Sequence, residues 1–244
     1  MSEPVENIDY SEEDPWTPPT PRRVAARALV MSAVACRGLI ESAAGNPEAE
    51  GLRLRVVDWL DKMGVPSEVE PHEAIILNVP LGTLSPQQAI KAGWLCEGLA
   101  MLAWALQRFP LPEYDKEVDP HIVAESLDFL WDDARDLLDD PELRPGTEIQ
   151  NLEDQMLDLH WRVADFKKRL RWYDFRLLAE TNRVGPAQMG IRFVEDDLAI
   201  GDLPISQAAQ TDVDLVNSLA HERQKALDWL LGQGTLYSQV TPDT

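Results

Sequence analysis

Cysteine is scarce in this chain, which has two among 244 residues, Cys36 and Cys96, and no C-x-x-C pair. Each lies in an apolar stretch that predicts a helix, so we interpret both as small buried hydrophobic residues in a reducing compartment. The missing C-x-x-C pair excludes a zinc ribbon and a thioredoxin-type redox site. We therefore expect free thiols, no disulfide framework and a cytoplasmic location.

Sequence motifs of the common enzyme classes are also absent. The chain has no G-x-x-x-x-G-K-[ST] loop, no G-x-G-x-x-G after a predicted strand, no G-x-S-x-G elbow and no H-E-x-x-H pair. His221-Glu222 begins like the last of these, but Lys225 occupies the position of its second histidine. These absences favour a protein that is not an enzyme and that holds no metal and no cofactor.

Basic residues are few: 22 Lys and Arg stand against 43 Asp and Glu, a formal net charge of −21. Such a charge disfavours a nucleic-acid backbone or an anionic membrane as a partner. It suits a basic protein as a partner, or simply a very soluble surface. No apolar run reaches the roughly 20 residues of a membrane span, and the acidic N-terminus lacks the apolar region of a signal peptide.

Helical periodicity of apolar residues is the dominant pattern that is present. It predicts a mainly α fold, with one small β-hairpin within residues 191–205, where strand-like pieces flank Gly201-Asp202. Residues 1–20 are acidic and proline-rich, and we expect them to form a disordered arm. Residues 21–244 are expected to form a single helical domain.

The stretch from residue 85 to 109 predicts the central helix. Ser85 suits the N-cap, Pro86 suits the first helical position, and Gln88 stands at the capping-box position. The helix is apolar all round, so every face needs protein cover. Glu97 is the one charge in its apolar part, and we expect it either to be buried and paired or to line a cleft.

Glu97 needs a cationic partner, because a buried acid without one raises its pKa instead of staying ionised. Arg162, Arg223 and Lys225 are the candidates, and His160 lies beside an apolar seam where it could join them. Such a cluster is either structural or, in a water-filled cleft, suited to acid–base chemistry. The candidate polar cluster comprises Glu97, His160, Arg162, Glu222 and Arg223.

Acidic residues form a second candidate feature. In a helix predicted from residue 120 to about residue 139, Asp128, Asp132 and Asp136 are spaced four apart and therefore form one stripe. We interpret the stripe either as a solvated face or as a docking surface for a basic partner.

The longest predicted helix runs from about residue 148 to 182. Its apolar residues alternate spacings of four and three, as in a coiled coil. They are Leu152, Met156, Leu159, Val163, Phe166, Leu170, Tyr173 and Leu177. This seam, residues 152–177, allows a homodimer, but packing within the chain is favoured because other apolar helices need cover.

Several segments together carry a family resemblance. They are WLCEGL at 94–99, LAWAL at 102–106, PLP at 110–112, LHWR at 159–162, ERQKALDWL at 222–230 and TPDT at 241–244. With them the chain resembles the mostly bacterial domain-of-unknown-function family 4272, over roughly residues 22 to 244. The resemblance implies a fold and a cytoplasmic compartment, but the family name carries no activity.

Two functional hypotheses follow. The first is a non-catalytic cytosolic interaction protein with an acidic surface, for example one that neutralises a basic protein as an immunity protein neutralises a toxin. The alternative is an enzyme or small-ligand binder that uses Glu97, His160 and Arg223. The second hypothesis requires the polar residues of the core to converge on an accessible cavity, and the first does not.

Overall fold

The computed structural model describes residues 17–182 and 188–242, and its helices follow the capping signals of the sequence closely. Proline occupies the first position of the first five helices, where its missing N–H costs nothing. The helices of the described residues are α1 (Pro21–Leu39), α2 (Pro47–Met63), α3 (Pro71–Asn78), α4 (Pro86–Ala105), α5 (Pro120–Ser126), α6 (Ala134–Asp139), α7 (Gly146–Arg169), α8 (Phe175–Asn182) and α9 (Gln210–Leu230). The mainly α fold class is therefore confirmed.

Helix α4 is the element on which the core is built, as predicted for residues 85–109. Both halves of its capping box form between Ser85 and Gln88. The helix contacts α1 and α9, and α9 in turn contacts α7. At Gly38 of α1 an added Cβ would lie 2.7 Å from the carbonyl oxygen of Ala89, so the two backbones meet closely there. The helix ends at Ala105, before the predicted stretch does.

The predicted helix from residue 120 to 139 is wrong, because α5 and α6 are separate. Asp128 and Leu130 have φ of 53° and 69°, which no helix accommodates. Tertiary contacts impose this break: Phe129 packs edge-on against Trp59, with ring centroids 5.1 Å apart. Trp59 Nε1 also donates to the carbonyl oxygen of Trp131 at 3.2 Å. Asp128, Asp132 and Asp136 therefore do not share one helix face.

The predicted helix from residue 148 to 182 is also two helices, because Leu170 adopts the left-handed conformation and ends α7. The five seam residues before Leu170 are buried, whereas Leu170 and Leu177 are 69% and 61% exposed. Since α7 packs on α9, the buried part of the seam is covered within the chain.

A small antiparallel sheet of three strands, in the order β1-β2-β3, follows α8. Its strands are β1 (Phe193–Val194), β2 (Asp197–Ile200) and β3 (Leu203–Pro204). The predicted hairpin around Gly201-Asp202 is confirmed as β2 and β3. The pairing of β1 with β2 was not predicted. Glu195 and Asp196 form the two-residue loop between these strands, and both have the positive φ that the type I′ hairpin turn requires.

Most of the predicted acidic arm, residues 1–16, lies outside the described residues. At the end of that arm, the Thr20 side chain accepts a hydrogen bond from the Arg23 amide and caps α1. Within residues 17–182 and 188–242, no helix combines the length and apolarity needed to cross a membrane.

Candidate functional site

Glu97 of α4 and Arg223 of α9 form a buried ion pair. Both side chains are 1% exposed, and Arg223 Nε and Nη2 donate to Glu97 Oε2 at 3.0 and 2.6 Å. Of the three cations considered from the sequence, Arg223 is thus the one that pairs with Glu97. The pair joins the central helix to the last helix, which begins more than one hundred residues after α4 along the chain.

The same two side chains also hold the segment 113–118. The Val118 amide donates to Glu97 Oε1 at 3.0 Å. Arg223 donates to the carbonyl oxygens of Glu113 at 2.7 Å and Lys116 at 2.6 Å. The ion pair therefore supplies hydrogen-bond partners to the backbone of an irregular segment and holds that segment against α4 and α9.

A cavity of about 500 Å³ lies beside this pair, between the end of α1, the first half of α4 and the segment that leads into α5. Its lining combines apolar side chains with two acids and one thiol: Gly38, Leu39, Ala89, Ile90, Gly93, Trp94, Cys96, Glu97, Glu117, Val118 and Pro120. Burial, together with the charges of Glu97 and Glu117, raises the pKa of the Cys96 thiol to about 12. The thiol is therefore protonated at neutral pH and unsuited to act as a nucleophile.

His160 does not join the Glu97–Arg223 pair. Its Nδ1 lies 2.6 Å from Gln224 Oε1, and its ring stands edge-on to that of His221, with centroids 5.7 Å apart. Burial lowers the pKa of both histidines, although the hydrogen bond to Gln224 partly offsets this for His160. His160 is therefore a buried, hydrogen-bonded imidazole that packs against His221 at the α7–α9 interface.

Arg162 belongs to a different pair. Its Nε and Nη2 donate to Asp197 at 2.7 and 2.6 Å, and both side chains are fully buried. Asp197 also accepts from the backbone amides of Tyr173 and Leu198, so this pair anchors the small sheet to α7.

Glu222 is half-buried on α9. Burial raises its pKa, Lys225 and Lys91 lower it, and the charge of Glu97 raises it. The candidate polar cluster is thus divided among separate pairs and neighbours, and it does not form one constellation.

Two further buried ion pairs were missed from the sequence. Arg27 of α1 pairs with Glu73, and Arg37 pairs with Glu41. Arg27 is fully buried in the apolar face of its helix. Glu97 was identified as a charged residue inside an apolar helical stretch. Arg27 has the same pattern around it, so the same reasoning could have identified it.

Trp131 is a large exposed side chain between α5 and α6, with 68% of its surface accessible. Asp132 and Asp136 are exposed nearby in sequence, and Asp128 is half-buried. A hollow of about 440 Å³ borders Trp131. Its lining residues are Arg55, Asp58, Trp59, Lys62, Phe129, Leu130, Trp131 and Asp132. The sequence identified the acids but not the aromatic residue among them.

Among the described residues, no group of three His, Cys, Asp or Glu side chains is placed to hold a metal ion. A family model described as "Domain of unknown function (DUF4272)" matches residues 6–172. The match includes Glu97, His160 and Trp131, whereas the resembling segments at 222–230 and 241–244 lie outside it. No curated protein and no solved structure matches the chain.

Proposed function

The chain belongs to the DUF4272 family, whose description names no activity, and we propose that it is a non-catalytic interaction protein. In this proposal it docks a basic protein on an acidic surface centred on Trp131. Neutralisation of that partner, as by an immunity protein, is the concrete form we favour. The observation that carries the proposal is an exposed tryptophan inside the most acidic part of the described chain.

Charge is concentrated in residues 125–142, which we call the acidic segment. Arg135 is its one basic residue. Its eight acids are Glu125, Asp128, Asp132, Asp133, Asp136, Asp139, Asp140 and Glu142. All but Asp128 are exposed, and within the described part of the chain only Asp139 has an ion pair, with Arg22 at 3.7 Å. This uncompensated charge attracts a basic surface and speeds its association.

The position of Trp131 fits a docking anchor. Tryptophan is enriched among the residues that dominate binding energy at protein interfaces, usually beside a pocket that the partner fills. Here the indole stands beside the 440 Å³ hollow, which is large enough for an apolar side chain of the partner. Charged residues around a central aromatic residue give the arrangement of hydrophobic centre and polar rim that interfaces share.

The backbone that presents Trp131 is strained. Left-handed conformations at Asp128 and Leu130 cost of order 1–3 kcal/mol each and persist only where the surroundings impose them. Phe129 is turned inward onto Trp59, and the hydrogen bond from Trp59 Nε1 fixes the carbonyl of Trp131. The outward direction of the indole is thus held by the core, which favours a functional reason for its exposure.

The alternative, an enzyme built on Glu97, His160 and Arg223, has less support. Glu97 and Arg223 satisfy each other and the segment 113–118. His160 is 3% exposed and bonded to Gln224. A general base needs a free lone pair within reach of substrate, and these groups direct theirs to structural partners.

Compartment and domain organisation form part of the same proposal. The free thiols of Cys36 and Cys96 support a reducing, cytoplasmic location. The contacts of α4 with both α1 and α9 support one domain over residues 21–244. The net charge of −21 favours a basic protein over nucleic acid or an anionic membrane.

Affinity capture from native lysate at low salt tests the proposal, using the wild type and Trp131→Ala. Trp172→Ala is the matched control, since Trp172 is 56% exposed on another part of the chain. We expect a stoichiometric basic protein with the wild type and the control, and its loss with Trp131→Ala. Conversion of Asp132, Asp133 and Asp136 to Asn should also release it. Identical captures by all variants, or none by the wild type, would overturn the proposal.

A further inference from the structure

We propose that the cavity beside Glu97 is a binding site for a small organic cation, an ammonium group carried on an apolar body. The site is independent of the acidic segment, because its lining comes from α1, α4 and residues 117–120. Its volume of about 500 Å³ lies within the range of small-molecule pockets.

The walls of the cavity are apolar and open to solvent. Leu39 and Ile90 are 49% and 59% exposed, and Trp94 is half-buried beside them. Leaving such side chains in contact with water forgoes the free energy that their burial would give, about 25 cal/mol per Å². An apolar ligand body would recover that free energy.

Gly93 lies on the α4 side of this cavity, and packing does not explain it. A Cβ added at Gly93 would meet only Leu39 Cδ2, at an ordinary contact distance of 3.7 Å. By contrast, a Cβ at Gly38 would lie 2.7 Å from Ala89 and Ala92 atoms, so the helix crossing requires Gly38 itself. Glycine destabilises a helix interior relative to alanine. The space left at Gly93 therefore deepens the cavity at a cost in helix stability.

The charge of the site selects a cation. Glu97 is compensated by Arg223, and the Cys96 thiol is neutral at its raised pKa. Glu117 is exposed and has no hydrogen bond or ion pair within residues 17–182 and 188–242. Its carboxylate is thus the uncompensated charge of the lining, and the indole of Trp94 offers a face that attracts cations.

The rim of the site is fixed before a ligand arrives. The amide of Val118, next to Glu117, donates to Glu97 Oε1 at 3.0 Å, and Arg223 holds Glu113 and Lys116 by their carbonyl oxygens. A preorganised wall lowers the ordering cost of binding. The buried ion pair thereby acts as the positioning element of the site.

Titration with n-hexylammonium, monitored by the NMR amide shifts of Gly93, Trp94 and Val118, tests the proposal. Hexanol and hexanoate are the comparison probes. We expect saturable binding of hexylammonium, weaker binding of hexanol and none of hexanoate. Equal binding of hexanoate, or no saturable shift with hexylammonium, would overturn the proposal.

Variants assign the binding to the cavity. Glu117→Gln should weaken hexylammonium binding by about two- to fivefold, the scale of an exposed charge pair, without changing hexanol binding. Gly93→Ala should weaken both probes and raise the melting temperature. The matched controls are Glu180→Gln, an exposed acid of α8, and Gly51→Ala, a glycine of α2 with open space around it. Gly51→Ala should raise the melting temperature with binding unchanged. Unchanged binding in both site variants would contradict the proposed location.

Discussion

Glu97 and Arg223, 126 residues apart in the sequence, meet in the core through two hydrogen bonds to one carboxylate oxygen. The other oxygen of Glu97 accepts from Val118, and Arg223 also donates to two carbonyl groups of the segment 113–118. The pair therefore links two helices to one irregular segment, and both oxygens of Glu97 and all three nitrogens of Arg223 take part in these structural contacts.

Removal of one charge from this pair should destabilise the fold strongly. Glu97→Gln leaves the guanidinium of Arg223 buried without its counter-charge, which costs about 3–5 kcal/mol in comparable buried pairs. Urea denaturation measures the change in free energy of unfolding. Glu180→Gln, on the exposed face of α8, should stay within about 0.5 kcal/mol of the wild type.

The double variant Glu97→Leu with Arg223→Leu separates charge from packing. Because apolar replacement of both partners avoids an unpaired charge, it should cost less than Glu97→Gln alone. A double variant that is less stable than the single one would contradict this account of the pair.

The contribution of Glu153 of α7 to the free energy of unfolding should fall as pH rises from about 4.5 to 7. Burial, followed by the charges of Asp228 and Asp154, raises the pKa of Glu153 from 4.5 to about 7. Between these values the folded state binds more protons than the unfolded state, so the free energy of unfolding decreases with rising pH and levels off above about pH 7. The expected loss is of order 1–3 kcal/mol.

Glu153→Gln provides the test, because it removes this titration and keeps the side-chain shape. The difference in free energy of unfolding between variant and wild type should change across pH 4.5–7 and stay constant above. The histidines with lowered pKa, His160 and His221, are present in both proteins and cancel in the difference. A difference independent of pH would refute the assignment to Glu153.

Gly98 of α4 should tolerate alanine poorly, in contrast to Gly93. A Cβ at Gly98 would collide with the Tyr237 hydroxyl and lie 3.3 Å from the Glu222 carbonyl and Met31 Cε. Overpacking of this kind costs about 1–3 kcal/mol, more than alanine gains in helix propensity. Thermal denaturation should show a lower melting temperature for Gly98→Ala.

Tyr237→Phe should rescue Gly98→Ala, because it removes the colliding oxygen. On its own Tyr237→Phe should be nearly neutral, since the buried hydroxyl has no hydrogen-bond partner among the described residues. A double variant no more stable than Gly98→Ala would indicate that the collision lies elsewhere.

The sequence predicted those parts of the fold that local chemistry specifies. Ser85 and Gln88 cap α4, and Gly201 turns the hairpin. These residues act through their own backbone preferences, so a single sequence contains the information. Glu97 was identified for a similar reason, as a charge in an apolar helix.

The helix breaks at Asp128, Leu130 and Leu170 could not be predicted in this way. None is a glycine or is followed by a proline, yet each adopts a positive φ. At Asp128 and Leu130 the break accompanies contacts of Phe129 and Trp131 with the distant Trp59. The choice of Arg223 as the partner of Glu97 depends on how α9 crosses α4, which periodicity does not give. The exposure of Trp131 could not be predicted either, because helical spacing places this residue in a helix from residue 120 to 139 that does not form.

The affinity of the captured basic partner for Trp131→Ala and for Glu97→Gln tests the central claim, that the core charges are structural and binding lies on the acidic segment. Isothermal titration on variants that circular dichroism shows to be folded gives the dissociation constants. The account predicts at least a tenfold loss for Trp131→Ala, since interface anchors contribute about 2 kcal/mol or more, and an unchanged constant for Glu97→Gln. The reverse pattern, in which Glu97→Gln loses binding and Trp131→Ala keeps it, would contradict the account.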